Sequence, residues 1–189
     1  MSQTPLALFG KPAWLNLPTA ITLLRLAGIP FILLGLHLGS PEGERLAFWA
    51  FLLAAVTDWL DGQLARRYGL VTDLGKVLDP LVDKLLVLAP LLGLVELGRI
   101  PAWGVFLVVG RELAIAGWRA NQGQVRGANL WGKAKTAAQI LAISLLILNW
   151  PAGIPCFWVA VALTLISGLI YLRSNHAAAT PSSTKDPLA

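Results

Sequence analysis

Residues 57–84 read TDWLDGQLARRYGLVTDLGKVLDPLVDK, five aspartates and four basic side chains inside a chain of 189 residues that is 56% hydrophobic and only 13% charged. A soluble domain carries roughly 25% charged residues. With a mean hydropathy of +0.68, the sequence around this stretch belongs in a bilayer. Lipid admits only structures that satisfy every backbone group internally, and the apolar runs here are of helix length. The expectation is therefore an all-α integral membrane protein. Charge at membrane depth is costly unless it faces a partner or a cavity, so the 57–84 stretch must be completed by something.

Working outward, stretches able to cross roughly 30 Å of hydrocarbon fall at 17–38, 46–68, 78–98, 101–120, 131–150 and 154–173. They predict six transmembrane helices. The breaks carry turn chemistry: GSPEGE at 39–44, Gly69, GRIP at 98–101, NQGQVRGAN at 121–129 and NWPAGIP at 149–155. Residues 1–16 contain PLALFGKPAWLNLP and form a short juxtamembrane segment, residues 17–173 the helical domain, and residues 174–189 a small, polar tail expected to be disordered. The first apolar run carries Arg25 and Pro30 and is too long for a signal-peptide core, so it reads as a retained span.

Cations set the orientation. With the N-terminus cytoplasmic, that side receives Lys11, Arg66, Arg67, Lys76, Arg119, Arg126, Lys133, Lys135, Arg173 and Lys185, and the other side only Arg45 and Arg99. Ten against two places both termini in the cytoplasm. The net charge of +5 then needs no nucleic-acid partner. It suits anionic lipid or phosphorylated substrates. Trp14, Trp103, Trp131 and Trp150 fall near span ends as interfacial anchors. The one cysteine, Cys156, excludes an internal disulfide.

Asp58 and Asp61 lie three apart at the end of the second span, and Asp79 and Asp83 four apart at the start of the third. Each pair shares a helix face, and a short loop makes the two helices antiparallel neighbours. Four converging carboxylates repel unless cations hold them, and hard oxygen ligands favour a pair of Mg²⁺ or Mn²⁺ ions. Asp79 before Pro80 also fits a helix N-cap, which accounts for one of the four. Gly62 and Ala65 are small residues on the same stretch, where a flat ligand or a neighbouring helix could approach the backbone.

Asp58, Asp61, Gly62, Ala65, Arg66, Gly75, Asp79 and Asp83 match the D-x2-D-G-x2-A-R-x8-G-x3-D-x3-D signature without departure. The chain thereby resembles the CDP-alcohol phosphatidyltransferases. That resemblance implies two divalent cations, with Asp58, Asp61 and Asp79 as metal ligands and Asp83 as the general base that also touches the second metal. It implies that Gly62, Ala65, Arg66 and Gly75 line the pocket for a CDP-linked donor, usually CDP-diacylglycerol. It also implies a homodimer in a cell (inner) membrane, multi-pass, with the active site on the cytoplasmic side.

NLPTAITLLRLAGIP at 16–30, GKVLDPLVDKLL at 75–86, GRELAIAGWRA at 110–120 and GKAKTAAQ at 132–139 are similar to bacterial-type phosphatidylglycerophosphate synthases, a branch of that family. On that likeness the acceptor is sn-glycerol 3-phosphate, and Thr22, Arg25, Arg111, Glu112, Arg119, Lys135 and Thr136 shape its site. The cationic loop between spans four and five suits a phosphorylated acceptor. Inositol phosphate, serine, or phosphatidylglycerol as in a cardiolipin synthase are the rival acceptors. A cation or proton transporter would spread its acids through the membrane depth, whereas these acids cluster near one face.

Overall fold

The structure, a computed structural model, describes the backbone of residues 17–68, 73–120 and 130–179 and the side chains of 21–58, 80–118 and 132–171. Six helices and no strand occur among the described residues: α1 (Leu17–His37), α2 (Pro41–Tyr68), α3 (Asp73–Glu96), α4 (Ala102–Ala120), α5 (Leu130–Ile147) and α6 (Gly153–Ala179). The 1–16 segment, Trp14, Gly69, the 121–129 loop and residues 180–189 lie outside the described residues.

Helix ends follow cap chemistry. Gly39 at φ 60° ends α1, with its N–H donating to the Leu36 carbonyl at 3.1 Å. Ser40 then caps α2, its Oγ accepting from the Gly43 N–H at 3.1 Å, with Pro41 at the first helical position. That cap starts α2 at Pro41 rather than at the expected residue 46. Both α3 and α5 end in paired reverse bonds: Gly98 N–H to Val95 and Arg99 N–H to Leu94, then Asn149 N–H to Leu146 and Trp150 N–H to Leu145. Gly98 at φ 68° and Asn149 at φ 52° supply the left-handed residue each needs.

Two expectations are corrected. Asp79 and Pro80 lie inside α3, which begins at Asp73, so Asp79 is not an N-cap. A proline in a membrane helix is tolerated where neighbours re-satisfy the freed carbonyl. The tail is helical through Ala179, six residues beyond the expected end, because Ala177, Ala178 and Ala179 are strong helix formers.

The bundle is built around α1 packed along α2 and α3, and α6 packed along α5 and α4, with α5 also touching α2 and α3. Gly35 and Gly43 let α1 and α2 meet backbone to backbone: a Cβ on Gly35 would sit 2.5 Å from the Gly43 carbonyl oxygen. Ile32, Leu36, Phe51, Leu94, Ile143 and Ile147 are almost fully buried between the helices. At one end, Arg99 donates to the Leu146 and Ile147 carbonyls at 3.0 and 2.9 Å and pairs with Glu44. It therefore caps the C-terminus of α5 while tying it to α2.

The outward surface is apolar, with Phe106 74% and Leu24 70% exposed. Such a surface is a liability in water and a match for lipid. Gly153–Tyr171 in α6 is the one described segment long and apolar enough, by length and composition, to cross a membrane. Trp103 and Trp150 are exposed near helix ends, and Trp103 stacks on Trp158 with ring centroids 4.5 Å apart.

Candidate active site

The charged side chains that the sequence spreads over five helices gather in two clusters. The first joins α1, α2 and α3. Arg25 is buried, its side chain 2% exposed, and its Nη1 donates to Asp58 Oδ1 at 2.8 Å and to Asp83 Oδ1 at 3.1 Å. Those two bonds to one nitrogen keep the carboxylate oxygens within about 6 Å of each other. Asp58 and Asp83 are 41% and 47% exposed, so both remain open to a ligand. Thr22, one turn before Arg25 on α1, is buried as well.

The second cluster joins α4, α5 and α6. Glu112 Oε1 accepts from Arg111 Nη1 at 2.9 Å and from Lys135 Nζ at 2.5 Å. Arg111 Nη2 donates to Ser167 Oγ at 2.8 Å, and Gly168 leaves room for the guanidinium, since a Cβ there would lie 3.1 Å from Arg111 Nε. One carboxylate thus holds two cations adjacent that would otherwise repel.

Both clusters border one cavity of about 290 Å³. Its polar rim is Asp58, Asp83, Lys84, Glu112, Lys135 and Thr136, and its deeper wall is apolar apart from Gln139. Expected acceptor residues divide accordingly. Glu112, Lys135 and Thr136 line the cavity, while Thr22, Arg25 and Arg111 are not among its lining residues. Asp61, Gly62, Ala65 and Arg66 lie on α2, Gly75 and Asp79 on α3, and Arg119 on α4, with side chains outside the described residues, as is that of Trp131.

Whether divalent cations fit can be judged from the donors that are described. Asp58 and Asp83, from different helices, already share one cationic nitrogen, so positive charge belongs between them. Hard carboxylate oxygens are the ligand type that Mg²⁺ and Mn²⁺ take. Among the described residues no three acids, histidines or cysteines cluster. The rest of the expected quartet, Asp61 and Asp79, lies outside them. The fit holds for the two described acids.

Sequence reasoning missed Gln139, Thr164 and Ser167. Each is a buried polar residue in an apolar helical run, and that isolation is the signal that could have marked them.

A helical bundle with paired acids and a cation-lined cavity at one end is the frame of the CDP-alcohol phosphatidyltransferases, and the chain belongs to that family, whose model matches residues 15–166. It is 41% identical over 191 residues to the CDP-diacylglycerol–glycerol-3-phosphate 3-phosphatidyltransferase of Bacillus subtilis (strain 168), covering 89% of this chain and 99% of that protein. The Rickettsia bellii protein of the same name is 34% identical over 171 residues, covering 84% of this chain and 94% of that one. A probable phosphatidylglycerophosphate synthase of Mycobacterium tuberculosis is 38% identical over 173 residues, covering 86% and 83%.

Proposed function

We propose that this chain transfers the phosphatidyl group of CDP-diacylglycerol to sn-glycerol 3-phosphate, giving phosphatidylglycerophosphate and CMP. The observation that carries the reading is the single cavity bordered by the acids Asp58 and Asp83 on one side and by the Glu112–Lys135 pair on the other. The acids belong to the reacting diphosphate, and the lysine to a phosphorylated acceptor.

Asp58, Asp61, Asp79 and Asp83 would hold two Mg²⁺ or Mn²⁺ ions, which supply charge neutralisation to the diphosphate and the departing CMP. Asp83 takes the proton from the primary hydroxyl of the acceptor as that oxygen bonds to the phosphorus bearing the lipid. The bond from that phosphorus to the CMP oxygen breaks, and CMP leaves with the electron pair. Arg25 fixes the orientation of Asp58 and Asp83 from behind. Gly62, Ala65, Arg66 and Gly75 accommodate the cytidine diphosphate.

Lys135 binds the acceptor phosphate, and Glu112 keeps Lys135 and Arg111 positioned for it. Thr136 lies beside it, while Thr22 and Arg119 complete the surroundings. The six helices span a cell membrane with both termini and the site on the cytoplasmic side, so acyl chains stay in lipid while the acceptor arrives from water. The enzyme works as a homodimer, a reading that rests on the family resemblance.

Purified protein supplied with Mg²⁺, CDP-diacylglycerol and radiolabelled alcohols should turn over glycerol 3-phosphate. Turnover of inositol phosphate or serine with none of glycerol 3-phosphate would refute the acceptor assignment.

A further inference from the structure

Gln139 is 6% exposed, lies one turn beyond Lys135 on α5 and lines the same cavity. A chain of two hydrogen bonds decides how its amide is turned. Thr164, fully buried on α6, donates its hydroxyl proton to the Ala160 carbonyl at 2.7 Å. That oxygen is then left only as an acceptor, and Gln139 Nε2 donates to it at 3.1 Å. With the Thr164 proton on the Ala160 carbonyl, the opposite amide placement would set two acceptors against each other. Nε2 is therefore committed to α6, and Oε1 is the polar atom that Gln139 presents to the cavity.

Among the described residues no donor reaches Oε1. A carbonyl acceptor in an apolar wall is costly unless a donor arrives with the ligand. The diacylglycerol half of the donor substrate offers only ester and phosphate acceptors. Hydroxyl donors come from two sources, the acceptor's glycerol and the nucleotide's ribose. Gln139 stands roughly 6 Å along the α5 axis from Lys135. That spacing puts Lys135 and Gln139 on one face of α5, where a phosphate and a hydroxyl of the same three-carbon alcohol can both be met.

We infer that Gln139 Oε1 accepts a hydrogen bond from the non-reacting C2 hydroxyl of the acceptor, which makes Gln139 a specificity-determining residue oriented by Thr164. The inference rests on the acceptor reading above. A site with a hydroxyl-seeking acceptor rejects the analogue that lacks the hydroxyl, because the buried carbonyl is then left unpaired.

The test compares glycerol 3-phosphate with 3-hydroxypropyl phosphate, which lacks the C2 hydroxyl, and CDP-diacylglycerol with its 2′-deoxycytidine counterpart. The native enzyme should prefer glycerol 3-phosphate by roughly 10- to 100-fold in kcat/KM, the cost of one acceptor left unsatisfied. Gln139→Met, nearly equal in volume, should reduce that preference to within about threefold and leave the nucleotide ratio unchanged. Thr164→Val, which frees the amide but keeps it, should weaken the preference several-fold and serves if the first variant does not fold.

Equal use of the two phosphates by the native enzyme would overturn the inference, as would a preference that both variants retain. A change confined to the nucleotide ratio would assign Oε1 to the ribose instead and overturn it too. Native enzyme that turns over neither phosphate but accepts another alcohol would overturn the acceptor reading itself, a result distinguishable from all of these.

Discussion

A carboxylate that takes a proton from an alcohol must be held still, and Asp83 is held by Arg25, 58 positions away in sequence. Asp83→Asn keeps the shape and removes the basicity. Turnover should fall by roughly 100-fold or more, while CDP-diacylglycerol binding changes little, because general-base contributions run to about 10²–10⁴. Steady-state rates and a direct binding measurement separate the two, and equal loss of both would argue against a base. Lys135→Ala should raise the KM for glycerol 3-phosphate by roughly 10- to 100-fold, the value of one charge-assisted hydrogen bond. An unchanged KM in initial-rate assays would remove Lys135 from the acceptor site. The spacing that marks Asp58 and Asp83 as candidates is local, each within about one helical turn of a second aspartate in sequence. Arg25 stands out in the sequence as an expensive buried charge, but periodicity along α1 carries no information about the α2 and α3 acids it pairs with. Gln139 went unnoticed for a related reason: its orientation depends on Thr164, a residue of α6, which no reading of α5 alone contains.

At the scale of helices, the number and order of elements follow from apolar length, and the bounds follow from caps. Ser40 and Pro41 look like a loop when read as turn formers, yet they start α2, because a hydroxyl that satisfies the Gly43 N–H lets the helix begin there. Asp79 and Pro80 carry the same kind of signal and lie inside α3. A local cap preference of about 1 kcal/mol gives way where the surrounding chain continues the helix. Arg99 shows how distant elements are joined, since one guanidinium meets two carbonyls at the end of α5 and the Glu44 carboxylate of α2. Arg99→Met would leave those carbonyls without their donor and Glu44 without its cation. The expected loss is roughly 2–3 kcal/mol, read as a lower midpoint of thermal unfolding in detergent. Catalytic parameters of the folded fraction should be unchanged, because the site lies at the other end of α3 and α5.

The whole molecule is asymmetric between its two ends. One end carries the signature acids, Lys135 and the basic loop between α4 and α5, and the other carries the capped turns around Gly39, Gly98 and Asn149 with Arg45 and Arg99. In the proposed orientation, a cytoplasmic leaflet rich in anionic lipid would attract the first end by about 1 kcal/mol per nearby cation. Insertion itself is biased the same way, with lysine and arginine retained inside. That bias is a property of the summed chain, so composition and spacing state it without any contact. The placement of clusters along one cavity is not legible in that way. Orientation can be measured on intact cells in a Cys156→Ser background with one new cysteine at a time. Ser40→Cys, in the turn between α1 and α2, should react with a membrane-impermeant maleimide added outside. Ser183→Cys, in the tail, should react only after the membrane is permeabilised. The reverse pattern would invert the protein and put Asp83 and Lys135 on the side without the water-soluble acceptor, and reaction of both from outside would remove the sixth crossing.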